Sequence, residues 1–221
     1  MNILSYYVWT IRASFVMRLL KSGDYEAVLE KCEAYIGKLG ETPPHKRDKR
    51  WHDVMSWFLA RKADALNYLG RPEEALEAAR LSLEHAELAE DPASRLRALL
   101  LYGIALMAVG REEEGLKYID EILDMTDGRL DAPSRQARAW ALLQKASVLE
   151  EGYEPLVREA IRLLSGLRSF IGLGQAYYLL YEKTRDERYL EEARRHLESA
   201  GLSPEEIAKR LRGLGGSAGK S

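Results

Sequence analysis

The sequence contains one cysteine, Cys32, among 221 residues. A single cysteine excludes an intramolecular disulfide and any zinc or iron–sulfur site built from several cysteines. The four histidines never stand three or four positions apart, so no helical two-histidine metal motif is present. We therefore expect neither a metal nor a cofactor.

Long apolar runs are also missing. The most hydrophobic stretch lies near the N-terminus and is interrupted by Arg12 and Arg18. No run of about 18 uncharged apolar residues exists, as a membrane-spanning helix requires, and the basic start of a signal peptide is absent. These absences predict a soluble cytoplasmic protein.

Amide side chains are scarce, whereas charged residues make up 31% of the chain. The 33 basic and 35 acidic side chains give a net charge of -2, which argues against a generally basic nucleic-acid-binding surface. A low content of Asn and Gln together with a high content of charged residues is typical of hyperthermophile proteins, and it predicts a thermophilic source. Any helical protein rich in Glu, Arg and Leu would show the same composition.

The pattern along the chain predicts helices joined by short breaks. No sustained alternation of apolar and polar residues indicates a strand, and helical periodicity runs almost throughout. Asp91-Pro92 and Asp131-Ala132-Pro133 are typical of helix starts, because an oxygen side chain accepts from unpaired N–H groups and proline needs no partner there. Ser203 with Glu206 forms a capping-box pattern. We expect an all-α fold.

The breaks repeat. Gly70-Arg71-Pro72-Glu73-Glu74-Ala75 and Gly110-Arg111-Glu112-Glu113-Glu114-Gly115 are 40 positions apart, as are Asp91 and Asp131. In each turn a glycine ends one helix and acidic residues, which suit the helix dipole, begin the next. A small residue then lets two helices approach closely.

These turns resemble those of the tetratricopeptide-repeat (TPR) family, whose repeats are antiparallel helix pairs. Tyr102-Gly103 and Leu173-Gly174 stand at the glycine position of the family's first helix. The spacing of 40 exceeds the usual 34, and the segment 134–168 keeps almost none of the pattern. The resemblance implies a TPR-like α-α superhelix, a right-handed solenoid of about five helix pairs with a C-terminal capping helix.

The proposed helix pairs form one predicted domain, residues 1–214, followed by a flexible tail, residues 215–221. Each pair is amphipathic and has to stack on its neighbours to bury its apolar face. The pairs are predicted at 2–39, 48–90, 94–127, 134–168 and 169–200, with the capping helix at 204–213.

No motif indicates catalysis. Gly215-Gly216-Ser217-Ala218-Gly219 has the letters of a nucleophile elbow but lacks the strand before it and the acid and histidine after it. Paired glutamates stand at helix starts, where the helix dipole explains them. We expect a non-catalytic protein.

The TPR resemblance implies a concave groove that binds a peptide or helix of another protein. Three arginines near predicted helix starts suit an acidic partner, since guanidinium groups pair bidentately with carboxylates; pairing with acids of the next repeat is the equal alternative. The implied groove residues are Trp57, Asp64, Asn67, Tyr68, Arg97, Arg138, Lys145, Arg168, Gln175 and Tyr178.

The first helix is apolar nearly all round, which predicts a homodimer, or docking of the C-terminal helix, through Tyr6, Trp9 and Ile11.

A regulatory domain that senses a small ligand is the main alternative function. Nucleic-acid binding through the basic segment 45–52, with Trp51 stacking on a base, is a weaker one; the same segment is predicted to be a solvated loop with Trp51 in the core.

Overall fold

The computed structural model describes the backbone of residues 1–217, and their side chains apart from Ile3 and residues 212–217. Within residues 1–217 it contains α-helices and no strand, so the all-α prediction is confirmed. None of the helices in this range is long and apolar enough to cross a membrane. The helices are α1 (Ile3–Ser22), α2 (Tyr25–Gly40), α3 (Lys49–Tyr68), α4 (Pro72–Ala89), α5 (Pro92–Ala108), α6 (Glu112–Met125), α7 (Ala132–Val148), α8 (Tyr153–Gly166), α9 (Phe170–Thr184), α10 (Glu187–Ser199) and α11 (Pro204–Ser217).

Left-handed glycines end the first helix of three pairs. Gly23, Gly70 and Gly110 follow α1, α3 and α5 with φ of 76°, 71° and 82°. A side chain with a Cβ is strained in this conformation, and glycine is not. The Gly70 and Gly110 turns on which the repeat pattern depended therefore occur where they were predicted, and Gly23 forms a third turn of the same kind.

Side-chain caps begin several of the helices. The Asp91 and Asp131 carboxylates accept from the backbone N–H groups of Ser94 and Ser134, at 2.7 and 2.9 Å. At the start of α11 the Ser203 N–H donates to Glu206 at 2.7 Å, and the Glu206 N–H donates to the Ser203 hydroxyl at 3.3 Å. The capping box is confirmed.

The chain divides into two compact units, Met1–Gly115 and Leu116–Ser221, with the boundary inside α6. The sequence predicted a single domain over 1–214. The predicted flexible tail starts within α11, which continues to Ser217 rather than ending at 213. The rest of that tail, residues 218–221, lies outside the described residues.

In the first unit α3 is the central helix and packs against α1, α2, α4 and α5. Phe58 and Leu66 of α3 are fully buried in a core that also contains Val16 and Val28. Between α3 and α4 the buried Ser82 hydroxyl donates to the Ser56 carbonyl at 2.9 Å, and the two serine hydroxyls lie 3.2 Å apart. These hydrogen bonds fix the alignment of the two helices.

The helix α1 presents one face to this core. Trp9 is 9% exposed and makes edge-to-face contacts with Tyr35 and Phe58, at centroid separations of 6.1 and 5.7 Å. The Arg12 guanidinium covers the Trp9 ring at 4.3 Å. Trp9 is therefore not available for the self-association predicted for it, because its ring fills the core of its own chain.

In the second unit α7 packs on α8, α8 and α10 pack on α9, and α11 contacts both α9 and α10. Leu164 and Val157 of α8 are fully buried with Ala176 of α9. Leu197 of α10 and Ile207 of α11 belong to a smaller cluster at the end of the unit. The last helix thus packs on the preceding pair of helices.

Two helical glycines allow neighbouring helices to approach closely. A Cβ on Gly115 of α6 would lie 2.6 Å from the Gly103 carbonyl oxygen of α5. A Cβ on Gly174 of α9 would lie 2.7 Å from Leu197 of α10. Real Cβ atoms do not tolerate such distances, so each helix contact requires glycine.

We expect Gly115→Ala to lower the free energy of unfolding by about 1–3 kcal/mol, because the methyl group forces α5 and α6 apart. Gly37→Ala is the matched control: it also lies within a helix, and a Cβ there meets no described atom within 4 Å. This control should gain up to about 1 kcal/mol from helix propensity. Urea unfolding followed by circular dichroism measures both, and equal effects would contradict the close approach.

Candidate functional site: a polar face on α3 and α5

Four half-buried side chains follow one side of α3. Asp53, Trp57, Arg61 and Asp64 are spaced by four, four and three residues, which places them on one face of a helix. Because α5 packs on α3, Arg97 joins them. We call these five residues the α3–α5 polar face; it contains three of the ten predicted groove residues.

A short hydrogen-bonded chain connects the two helices. The Ser94 hydroxyl donates to the Asp53 carboxylate, and the Arg97 Nη2 donates to the Ser94 Oγ at 2.8 Å. The same Arg97 nitrogen lies 3.6 Å from an Asp53 oxygen. Arg97 is therefore partly engaged by its own unit.

Arg61 is held from two sides. Its guanidinium pairs with Asp64 at 2.8 Å and lies 5.7 Å from the centroid of the Trp57 ring. Both ions of the pair are largely buried, with 14% and 19% of their side chains exposed. The Arg61 guanidinium thus stays close to the aromatic ring and has little freedom to move.

The two arginines of the face are incompletely hydrogen-bonded. The Nε atoms of Arg61 and Arg97 are buried and have no acceptor among the described residues. Burial, followed by the nearby positive charge of Arg61, lowers the pKa of Arg97 to about 10, although Asp53 and Asp91 oppose the shift. Some 24% of the Arg97 side chain remains exposed, so the desolvation is local. Arg97 stays charged at neutral pH.

Asn67 and Tyr68, two predicted groove residues beside the polar face, lie in different environments. The Oδ1 atom of Asn67 is buried and has no donor among the described residues. Tyr68 stacks on Tyr25 with ring centroids 4.2 Å apart, so one side of its ring is covered. Tyr6 of α1 lies near the polar face: burial, and then the charges of Asp53 and Asp91, raise its pKa.

In the second unit, two of the three cations predicted for the groove are paired with acidic residues of the same unit. Arg138 donates to Glu159 at 2.8 Å and to the Leu123 carbonyl at 3.0 Å, and Lys145 pairs with Asp120 at 2.6 Å. Arg168 is exposed with φ of 51°, two residues before α9 begins. Arg97 and Arg138 lie within helices and Arg168 does not, so the three arginines predicted near helix starts do not occupy equivalent places. The C-terminal turn of α8 displaces Arg168 from the helix.

The last two predicted groove residues, Gln175 and Tyr178, are half-buried on α9. Tyr178 lines a cleft of about 440 Å³ between α9, α10 and α11, together with Tyr181, Arg194 and Ile207. Burial, followed by the charges of Glu182 and Tyr181, raises the pKa of Tyr178. The cleft combines aromatic and apolar walls with one cation, Arg194, and one anion, Glu198.

Residues of the basic segment 45–52 make hydrogen bonds and ring contacts within the first unit. Arg47 donates to the carbonyls of Thr42 and Gly40 and covers the Trp51 ring at 4.7 Å. Trp51 is 2% exposed, and its indole N–H donates to the Leu39 carbonyl at 3.2 Å. The prediction of Trp51 in the core is confirmed, and the ring is not accessible to a base. The prediction of a loop is wrong for residues 49–52, which form the first turn of α3.

A histidine pair was not predicted. The Nδ1 atoms of His52 on α3 and His85 on α4 lie 2.8 Å apart, beside the Trp51 ring. One proton between the two nitrogens makes this a hydrogen bond. The helices α3 and α4 are antiparallel and are joined by the turn at Gly70. Two residues that face each other across this pair therefore have residue numbers that sum to about 138, as Ser56 and Ser82 do. Applying that rule to the sequence would have indicated the histidine pair.

Among residues 1–217 no cluster of three His, Cys, Asp or Glu side chains is suited to a metal ion. Burial raises the pKa of the Cys32 thiol to about 12, so it is neutral and a poor nucleophile at physiological pH. The site is suited to binding by hydrogen bonds, charge and aromatic contact.

Comparison of the chain with protein-family models, with curated proteins and with solved structures finds no match. The function is therefore inferred from the geometry of the chain itself.

The histidine pair predicts a loss of stability in acid. Burial lowers the pKa of both His52 and His85, and the Arg47 charge adds to the shift, while Asp48 and Glu84 oppose it. As the pH falls below about 6.5, the ordinary pKa of histidine, the unfolded chain therefore binds protons that the folded chain does not yet bind. The free energy of unfolding is thus highest above this pH and decreases as the pH falls below it.

We expect the double variant His52→Gln/His85→Gln to unfold in urea with less dependence on pH between about 7.5 and 5 than the parent chain. His45→Gln, at an exposed histidine outside the pair, is the control and should keep the parent profile. The interpretation fails if removal of the pair leaves the pH profile unchanged.

Proposed function

We propose that the chain is a non-catalytic, TPR-like protein-interaction module whose first unit binds a carboxylate-bearing segment of a partner protein on the α3–α5 polar face. The glycine turns and the helix pairs support the family assignment. The half-buried arginines and Trp57 support the binding role, because arginine and tryptophan are the residues most often found at the centre of protein interfaces.

The observation that carries the proposal is the pair of buried Nε–H donors on Arg61 and Arg97. A buried donor without an acceptor costs about 1–3 kcal/mol, and most folded proteins avoid it. The Nε atoms themselves are out of reach of another molecule, so a partner carboxylate would approach the two guanidinium groups through the 14% of the Arg61 side chain and the 24% of the Arg97 side chain that stay exposed. Its negative charge would also offset the repulsion by which Arg61 lowers the pKa of Arg97.

The charges of the face set its selectivity. Asp53 and Asp64 already pair with Arg97 and Arg61, so the face is balanced rather than strongly basic. A highly acidic partner would meet these two carboxylates and be repelled. We infer that the partner presents one carboxylate next to an apolar or aromatic side chain, which would pack against Trp57.

The test compares short peptides that contain one Glu beside an aromatic residue with otherwise identical Gln peptides, using fluorescence anisotropy. We expect the Glu series to yield binders and the Gln counterparts to bind about tenfold more weakly, as the loss of a charged hydrogen bond predicts. Arg97→Gln should abolish that preference. Arg97→Lys, which keeps the charge but not the forked geometry, should retain part of it.

Arg80→Gln is the matched control, since Arg80 is an exposed arginine of the same unit and pairs with Glu77 on α4. It should bind like the parent chain. Thermal unfolding of each variant separates lost binding from lost folding. Equal affinity for Glu and Gln peptides in the parent chain would contradict the proposal.

The cleft of α9, α10 and α11 favours a second candidate, the sensing of a small ligand. Its volume of about 440 Å³ lies in the range of ligand sites, which are mostly apolar with few polar groups. Arg194 and the two tyrosines suit an aromatic carboxylate, and Glu198 in the same lining opposes its charge.

A panel of aromatic carboxylates should then contain compounds that raise the unfolding temperature of the parent chain but not of Tyr178→Ala. Tyr7→Ala, at an exposed tyrosine of the first unit, should still respond. A panel without any such compound, or one that stabilises Tyr178→Ala equally, would count against this second function.

A further inference from the structure

The outer side of α1 carries a stripe of exposed apolar residues. Leu4, Val8, Ile11 and Phe15 are 79%, 47%, 69% and 37% exposed. The inner side, formed by Trp9, Ala13, Val16 and Leu20, packs into the core of the first unit. The helix thus has a second apolar face with no described partner in the chain.

The spacing of this stripe is that of a helix–helix seam. Its residues follow one another by four, three and four positions, the repeat with which two helices interlock side by side. We name Leu4, Val8, Ile11 and Phe15 the α1 outer stripe. A helix is therefore the structural element that fits it.

The order four, three, four reads the same in both directions. In an antiparallel arrangement of two identical stripes, Leu4 faces Phe15 of the second copy, and Val8 faces Ile11 of the second copy. All four residues of each copy then find a partner. This self-complementarity is the condition for an interface with twofold symmetry.

Charge favours the same orientation. The charged residues of α1 are Arg12, Arg18 and Lys21, with no acidic residue. Arg18 extends the stripe by a further three positions, so a parallel pair would bring two Arg18 side chains together without a compensating acid. An antiparallel pair places them at opposite ends.

We propose that the α1 outer stripe is the interface through which two copies of this chain associate, antiparallel and reversibly. The exposed parts of the stripe and of Tyr7, which is 65% exposed beside it, amount to on the order of 500 Å² per copy, taking about 150–250 Å² for a large side chain. Two copies bury about 1,000 Å², the lower limit of specific interfaces, which favours a reversible rather than a permanent dimer.

This interface differs from the self-association predicted from the sequence. Trp9 is in the core, and Tyr6 lies toward Asp53 on the polar face. Of the three residues predicted, Ile11 alone belongs to the stripe. The interface is independent of the proposed peptide-binding role, because none of its four residues belongs to the α3–α5 polar face.

Sedimentation velocity from about 1 to 100 µM tests the dimer, and we expect a shift from one to two chain masses over this range. Ile11→Glu should weaken association at least tenfold, since it buries a carboxylate at the centre of the seam. Leu130→Glu, at a residue 85% exposed in the second unit, is the control and should associate like the parent chain. Circular dichroism verifies that both variants fold.

Cysteine cross-linking tests the orientation. An oxidised mixture of Leu4→Cys and Phe15→Cys chains should yield cross-linked pairs of one of each, while Leu4→Cys alone should not, because its two copies stand about 16 Å apart along an antiparallel seam. The native Cys32 is buried and does not compete. Efficient cross-linking of Leu4→Cys with itself would overturn the antiparallel arrangement.

A parent chain that remains monomeric at about 100 µM would overturn the proposal as a whole. So would a monomer that binds vesicles containing anionic lipid through Ile11, since the stripe would then be a membrane-surface helix.

Discussion

The antiparallel pairing of α3 with α4 determines most of what the first unit contains. The left-handed Gly70 ends α3 and, with the turn that follows, sets which residue of α4 faces which residue of α3. The buried serine pair and the histidine pair both follow from that alignment. A different side of α3, where Asp53 accepts from the Ser94 hydroxyl of α5, carries the α3–α5 polar face. A shift of one residue would separate the paired groups and rotate the polar face.

The local features were predictable because they depend on neighbouring residues alone. Left-handed geometry at Gly110 and the caps at Asp91 and Asp131 need only the residues beside them, and the structure has them as predicted. Trp51 was predictable for a related reason: an aromatic in the first turn of an amphipathic helix has a core nearby to fill. Helix positions and the all-α class follow from such short-range information.

The site was less predictable because it depends on which groups meet across helices. The sequence placed Arg97 and Arg138 in similar roles, but their partners differ: Arg97 keeps a buried N–H without an acceptor, whereas Arg138 donates to Glu159 and to a helix-terminal carbonyl. Arg168 matched the repeat pattern in its sequence position, but it lies in the left-handed turn before α9 and is therefore outside the helix. Apolar residues lie on both the inner and the outer side of α1, and nothing local distinguished the two faces.

The serine pair between α3 and α4 has a consequence for how this sequence can change over generations. Replacing Ser82 alone by alanine leaves the Ser56 hydroxyl buried without this partner, at a cost of about 1–3 kcal/mol. Replacing Ser56 alone leaves the Ser82 hydroxyl still donating to the backbone carbonyl of residue 56. Replacing both is nearly neutral, because no hydroxyl is then buried without a partner. The route to an apolar helix contact is therefore easier when residue 56 changes first, and mutational drift at this contact has a preferred order.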